Sequence, residues 1–381
     1  GIAQGFGVMV SHAFGAKDFK LLRHYVALSL ILTLIISLLL TIPTVTASRL
    51  LLAWMHTPEN IIAMADAYIK VIFAGILLTM AYNVLSGILR GIGDSRTPLY
   101  FLILSSVLNI ILDVVLIVYT GLGTAGAAYA TIIAQGVSAV LCFFYMYRKY
   151  EILRTRHEDY YLDSAGVKNM LAIGVPMALN YSITAIGTMI MQSAVNVFGS
   201  SVVAAFTAAS KVSNIATQSM PTLGTAMATY CGQNLGAGKY DRIYAGMRQG
   251  LFLCFGAAAT AAAICIFGGR FIVSWFVSNP SEEIFSSAMQ YLTIASWFFL
   301  PLAMIFLYRN ALQGLDQGLI PMLSGVIELA CRFGVIALIP ASTGFFGVCF
   351  ADPAAWAGAG IPLFITYLLW EHRMKQCSKA A

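Results

Sequence analysis

Asp113 has the most chemistry to offer. It sits in Asn109-Ile-Ile-Leu-Asp113-Val-Val-Leu-Ile, with no basic residue one turn away on either side. A carboxylate in such apolar surroundings is costly to ionise unless something compensates it, so it takes up a proton or a small cation readily. Asn109, four residues earlier on the same helical face, adds an amide that donates or accepts. Glu328 and Arg332 have the same i, i+4 spacing with opposite charges. They are expected to neutralise each other as an ion pair, the alternative being a substrate-facing charge or a gate. Asp66 and Lys70 form a similar pair, read as structural. Lys211 stands alone among Ser210, Ser213, Asn214 and Gln218, a pattern that predicts a helix lining a wet cavity.

Asn180, Gln192 and Asn196 are interleaved with Met177, Met189 and Met191, and Met220 and Met227 follow. Flexible thioethers suit a pocket that accepts many apolar shapes, although core packing explains any one of them equally well. Pro176 and Pro221 are expected to kink the helices that hold them. Gly121-Leu-Gly123-Thr-Ala-Gly126 satisfies GxGxxG, but it lies in a short turn between apolar stretches, so a dinucleotide site is rejected. HExxH, Walker A and GxSxG motifs are absent from the sequence. The histidines (12, 24, 56, 157, 372) are too scattered for a metal centre, which leaves a sodium ion at Asp113 as the one metal considered. Seven cysteines without a CxxC pair (142, 231, 254, 265, 331, 349, 377) read as small core residues.

Most of these residues lie within long apolar stretches. Hydrophobic residues make up 59% of the 381-residue chain and charged residues 10%, far below the roughly 25% charged residues of a soluble domain. Such a surface needs lipid as its solvent. Ten segments are long enough to cross a bilayer: 24–46, 61–88, 99–120, 124–147, 168–197, 201–231, 244–268, 284–312, 319–340 and 354–371. The first apolar stretch, Gly1 to Phe14, is too short and reads as the back half of a helix.

The net charge of +6 is spread over short turns, which argues against nucleic acid. Lys17, Lys20, Arg23, Arg90, Arg96, Arg148, Lys149, Arg154, Arg156, Lys168, Lys239, Arg242, Arg248, Arg309, Arg373, Lys375 and Lys379 fall on one side if the segments alternate. Arg49 and Arg270 fall on the other. The basic side is expected to be cytoplasmic.

The chain also repeats itself. Phe14-Gly15-Ala16-Lys17 matches Leu235-Gly236-Ala237-Gly238 at an offset of 221, and Gly126 to Ala130 match Gly347 to Ala351 at the same offset. Pro58 and Tyr68 match Pro280 and Tyr291, at 222 and 223. Leu89, Gly91 and Pro98 match Leu312, Gly314 and Pro321 at 223. Both copies begin on the same side, so the repeats are parallel, the arrangement of two bundles that rock about a cleft. The second copy has two helices ahead of its Gly236 turn where the first has only a stub. By symmetry the parent protein is expected to hold twelve helices, with the first and half of the second missing here.

These turns resemble those of the multidrug and toxic compound extrusion (MATE) family. The resemblance rests on Gly15-Ala16 with Phe19, Leu89-Arg90-Gly91-Ile92-Gly93-Asp94 with Pro98, Gly174-Val175-Pro176, Gly232-Gln233-Asn234-Leu235-Gly236-Ala237, and Ala351-Asp352-Pro353 with Trp356. It implies expulsion of organic cations and amphipathic drugs in exchange for protons or sodium ions. It also implies a cation site in the first lobe that reads here as Asn109, Asp113 and Thr131. The family's first-helix aspartate has no counterpart in this chain.

The expected fold is therefore an all-α integral membrane protein of two pseudo-symmetric six-helix lobes. Residues 1–150 form the N-lobe, 151–167 a cytoplasmic linker, 168–373 the C-lobe and 374–381 a cytoplasmic tail. The expected activity is antiport by alternating access, not enzymatic, without a cofactor beyond the coupling ion. Asn180, Gln192, Asn196, Lys211, Gln218, Glu328 and Arg332 are the candidates for the substrate cavity. The expected partners are the bilayer and small amphipathic or cationic substrates, with a monomeric protein in the inner membrane and its C-terminus in the cytoplasm. A flippase for a lipid-linked precursor would need several cationic residues along its cleft, and few are present (Lys211, Arg332). A membrane enzyme would need catalytic side chains clustered at one depth.

Overall fold

The computed structural model describes all residues except 55–56, 278–280, 339–340 and 381, and the side chains of 341 and 377–380. His56, Pro280 and the side chains of Cys377 and Lys379 thus lie outside the described residues. Two compact units emerge, residues 3–171 and residues 172–381 together with 1–2. The first is built from α1 (Ile2–Gly15), α2 (Phe19–Thr46), α3 (Ser48–Trp54), α4 (Glu59–Ala74), α5 (Ile76–Gly91), α6 (Arg96–Val114) and α7 (Gly123–Lys149). After α8 (Ser164–Asn196) come α9 (Ser200–Thr217), α10 (Ser219–Gly236), α11 (Tyr240–Phe276), α12 (Glu282–Trp297), α13 (Phe299–Gly314), α14 (Leu319–Leu338), α15 (Gly344–Val348) and α16 (Ala351–Ala380). No strand occurs among the described residues.

Among the described residues, seven helices are individually long and apolar enough to cross a membrane. The expected segments 61–88 and 284–312 are instead helix pairs, α4–α5 and α12–α13, bent by 46° and 52°. The bends have different causes. At Gly75 a Cβ would come within 2.2 Å of the Ile132 side chain on α7, so the missing side chain admits the neighbour. The α12–α13 break at Phe298 precedes Pro301, which lacks the amide to continue the helix. The sixth segment, 201–231, is α9 and α10, broken at Gln218. Pro221 falls in the first turn of α10, where its missing amide is tolerated. α8 runs unbroken through Pro176.

The repeat recurs as geometry. Gly93 (φ 95°) closes α5 with hydrogen bonds from its own amide to Arg90 and from the Asp94 amide to Leu89. This paired closure satisfies the orphan carbonyls of a helix end. The bond from Gln317 to Leu312, around Asp316 (φ 61°), is its counterpart at an offset of 223. Lys17 (φ 59°) and Gly238 (φ 67°) close α1 and α10 in the same way, at an offset of 221. Close helix contacts match as well. A Cβ on Gly91 would lie 2.9 Å from the Gly7 carbonyl oxygen, and one on Gly314 would lie 2.3 Å from that of Ala228.

Residues 151–163 pack onto α2. His24 contacts the Asp163 carboxylate through Nε2 (2.7 Å) and the Asp159 carbonyl through Nδ1 (3.0 Å), and its ring stacks on Tyr161. Arg23 pairs with Asp159 at 3.3 Å. In the α5–α6 turn, burial alone would raise the Asp94 carboxyl. Hydrogen bonds from Thr97 Oγ1, the Tyr150 hydroxyl and the Thr97 amide, with Lys149 nearby, outweigh burial and hold it at about 2. That turn is thereby fastened to the end of α7.

Two outcomes are expected. Because Lys17 occupies a backbone conformation that disfavours a Cβ, Lys17→Gly should stabilise the protein by about 0.5–1 kcal/mol despite the more flexible unfolded chain, measured as a raised melting temperature. The depressed Asp94 carboxyl contributes stability that is full above the unfolded value near pH 4 and is lost as pH falls towards 2. Asp94→Asn should cost about 2 kcal/mol at pH 7 and little at pH 2, read by denaturation at both pH values.

Candidate functional site

α6 shows lipid an almost wholly apolar surface, with Leu99, Leu102, Ile103, Val107, Ile110, Ile111 and Val114 all exposed. Its polar residues, Ser105, Asn109 and Asp113, recur every four residues on the face that packs on α7. Asn109 Nδ2 donates to Thr131 Oγ1 on α7 at 3.4 Å, and Thr131 donates back to the Ala127 carbonyl at 3.0 Å. One turn along α7, Gln135 accepts from Thr79 of α5.

Asp113 stands at the end of this stripe, half-buried. Its Oδ1 is shielded from solvent and has no hydrogen-bond partner in the protein. Immediately beyond it the helix widens into a π-turn over Val115–Tyr119, a distortion frequent at functional positions. Of the three residues expected to form the cation site, Asn109 and Thr131 meet across the α6–α7 contact, and Asp113 follows Asn109 by four residues on α6. The sequence reading did not include Gln135 and Thr79; the i+4 spacing of Gln135 from Thr131 was the available signal.

The second unit treats its acids differently. Glu328 lies between two guanidinium groups, with Arg309 Nη2 2.8 Å from Oε2 and Arg332 Nη2 3.3 Å from Oε1. Arg332 Nε also donates to Asp352 Oδ1 at 2.9 Å, and the Tyr291 hydroxyl donates to Asp352 Oδ2 at 2.9 Å. Glu328, Arg332 and Arg309 are only 6%, 4% and 8% exposed. The expected Glu328–Arg332 pair is thus half of a four-member network. Arg309 was expected in a cytoplasmic turn and is instead buried within α13, so it leaves the set of turn charges. It lies only a few residues from the helix end, which made it look like a turn residue. Its counterpart by the repeat, Ser86, is likewise buried five residues before its helix ends.

The remaining candidates do not converge. Asn180 is buried and donates to the Pro321 carbonyl at 2.9 Å, tying α8 to α14. Gln192 donates to Asn196 along α8 at 3.0 Å, and Asn196 and Gln218 are exposed. Lys211 is also exposed, with its Nζ 5.3 Å from the Phe276 ring at the end of α11. Met177, Met191, Met220 and Met227 are core residues, whereas Met189 is exposed. Asp66 pairs with Lys70 and accepts from Ser48, both at 2.6 Å, and so ties α4 to α3. In the GxGxxG turn, Gly121 and Gly123 have positive φ and Gly126 abuts the Leu116 carbonyl, which is a helix connection and not a nucleotide cradle. Among the described residues no group of three or more His, Cys, Asp or Glu is placed to hold a metal ion.

Repeated helical units with lipid-facing surfaces define a multi-pass membrane protein. The MatE family model matches residues 1–115 and 176–338, and the chain belongs to that family. Over 342 residues it is 29% identical to the "Probable multidrug resistance protein YpnP" of Bacillus subtilis (strain 168), covering 89% of this chain and 76% of that one. It is 28% identical to the "Probable multidrug resistance protein YoeA" of the same organism over 307 residues, 79% of this chain and 66% of the relative. Its fold matches the outward-facing conformation of a multidrug resistance MATE family transporter of the MOP superfamily. The TM-score is 0.90 at 22% identity, covering 98% of this chain and 84% of that structure.

Breaking the second unit's network should be costly because it strands a buried charge. Glu328→Gln should destabilise the protein by about 3–5 kcal/mol. Asp66→Asn, at a pair whose lysine is half exposed, should cost about 1 kcal/mol or less. Denaturation of both variants in detergent tests the contrast.

Proposed function

We propose that the protein is a multidrug efflux antiporter that exports cationic or amphipathic small molecules in exchange for protons or sodium ions. The observation that carries this reading is Asp113, whose Oδ1 is enclosed without a protein partner on a helix that otherwise faces lipid. Glu328, Asp352 and Asp66 each have a cationic partner. Asp113 is left to be neutralised by a mobile cation, with Asn109, one turn earlier on the same helix, hydrogen-bonded to Thr131. The names of the curated relatives support the substrate class.

The ion drives export only if ion and substrate favour different conformations of the protein. Two repeated units suit a cycle in which the Asp113 carboxylate is loaded from outside and discharged to the cytoplasm, while substrate travels the other way. The basic turns support insertion in the inner (plasma) membrane with the C-terminal tail in the cytoplasm. Gln192, which is half-buried, and Asn196 and Gln218, which are exposed, remain the candidates for substrate contact. Asn180, Glu328 and Arg332 serve the interior of their unit. With Arg332 neutralised and Lys211 against Phe276, a lipid-pyrophosphate flippase has little support. The protein is taken to act as a monomer.

Asp113→Asn removes the exchangeable charge while keeping the side chain's shape. Dye efflux from vesicles carrying this variant should fall by roughly tenfold or more under either a pH or a sodium gradient. Asp113→Glu should retain part of the activity. Efflux unchanged in Asp113→Asn would remove the coupling role from this residue, and the gradient that drives the wild type identifies the ion.

A further inference from the structure

Four polar positions on and beside the first unit's candidate ion site correspond to charged residues in the second, whereas Asp113 itself corresponds to Ile336. At the offset of 223 that relates Gly91 to Gly314 and Pro98 to Pro321, Ser86 corresponds to Arg309, Ser105 to Glu328 and Asn109 to Arg332. At the offset of 221 that relates Gly126 to Gly347, Thr131 corresponds to Asp352. The match extends to contacts. The Asn109–Thr131 hydrogen bond (3.4 Å) has as its counterpart the Arg332–Asp352 ion pair (2.9 Å). The same pair of helix positions is therefore bridged in both units, once by neutral groups and once by charges.

The charge content differs in a specific way. The first unit's carboxylate, Asp113, lies eight residues beyond Ser105 on the same helix and has no protein cation on it among the described residues. The second has two carboxylates and two guanidinium groups. All four carboxylate oxygens there already accept a hydrogen bond: Glu328 from Arg309 and Arg332, Asp352 from Arg332 and Tyr291. The Arg332 guanidinium also fills the space in front of α8, since a Cβ on Gly187 would fall 2.0 Å from its Nη1. A guanidinium does not lose its proton in a protein, so this positive charge cannot be discharged during a cycle.

We propose that the second unit contains a self-filled counterpart of the ion site, with Arg332 and Arg309 as tethered cations where a mobile monovalent cation would otherwise sit. Only the first unit then takes up the coupling ion, and the protein couples one ion per cycle. The inference rests on the reading of Asp113 as the coupling carboxylate. Arg332 thereby becomes the residue that sets ion stoichiometry, without touching ion or substrate. Arg332→Asn would leave two carboxylates with one guanidinium, the same single negative excess as at Asp113, and would open a second cation site.

The test titrates purified protein in detergent with sodium chloride, balanced by choline chloride at constant ionic strength, and separately with protons. It reads the ions bound per chain and the melting temperature. Wild type should bind one cation, and Asp113→Asn none. Asp113→Asn/Arg332→Asn should regain one, with a melting temperature that rises with sodium or with acidity. Adding Asp352→Thr, which rebuilds the first unit's neutral Asn–Thr pair, should abolish that response. Two ions in wild type, one surviving Asp113→Asn and lost in Glu328→Gln, would overturn the self-filled site and leave Asp113 standing. A monodisperse Asp113→Asn/Arg332→Asn protein without any cation response would also overturn it. Should that variant fail to fold, the ion counts of wild type, Asp113→Asn and Glu328→Gln still decide. Binding unchanged by both Asp113→Asn and Glu328→Gln would instead contradict the assignment of Asp113.

Discussion

Hydrocarbon does not solvate charge, and that constraint governs where this protein places its acids. A carboxylate among membrane helices must be matched by a fixed cation, protonated, or joined by an ion that comes and goes. Glu328 and Asp352 take the first course, each within reach of a buried guanidinium. Asp113 has no such partner on its enclosed oxygen. The contrast separates acids that hold the fold together from one left without a fixed cation on its enclosed oxygen.

The duplicated architecture makes the contrast legible. Both units close their helices with the same left-handed turns and pack the same helix positions at backbone distance, Gly91 on Gly7 and Gly314 on Ala228. On this shared frame, side chains at corresponding positions have diverged in charge. Membership of the MatE family fits such a plan, since two similar bundles can alternate access while their chemistry differs. The π-turn after Asp113 is a local departure from the frame, and it falls beside the residue with the most distinctive chemistry.

Much of this could be read from the sequence because lipid forces local patterns. Apolar runs mark the helices, and the isolation of Asp113 is visible from its neighbours alone. The Glu328–Arg332 pair shows in its i, i+4 spacing. Tertiary partners did not show: Arg309 and Asp352 reach Glu328 and Arg332 from other helices, and no local spacing announces them. Nor did the contact of Lys211 show, since its long stem carries the ammonium to an aromatic ring at the end of α11. The bends in α4–α5 and α12–α13 were hidden because the residues on either side of Gly75 and Phe298 are apolar and leave the run unbroken.

Crystals soaked in rubidium or caesium chloride would test the account most directly, because anomalous scattering locates a monovalent cation without reference to transport. The account predicts one site per chain, beside Asp113 Oδ1 with Asn109 and Thr131 close by, and none beside Glu328 or Asp352. It also predicts that the peak weakens as the medium is acidified and the carboxylate takes up a proton. A peak within the Arg309–Glu328–Arg332–Asp352 network, or a bound cation elsewhere with Asp113 left aside, would contradict it.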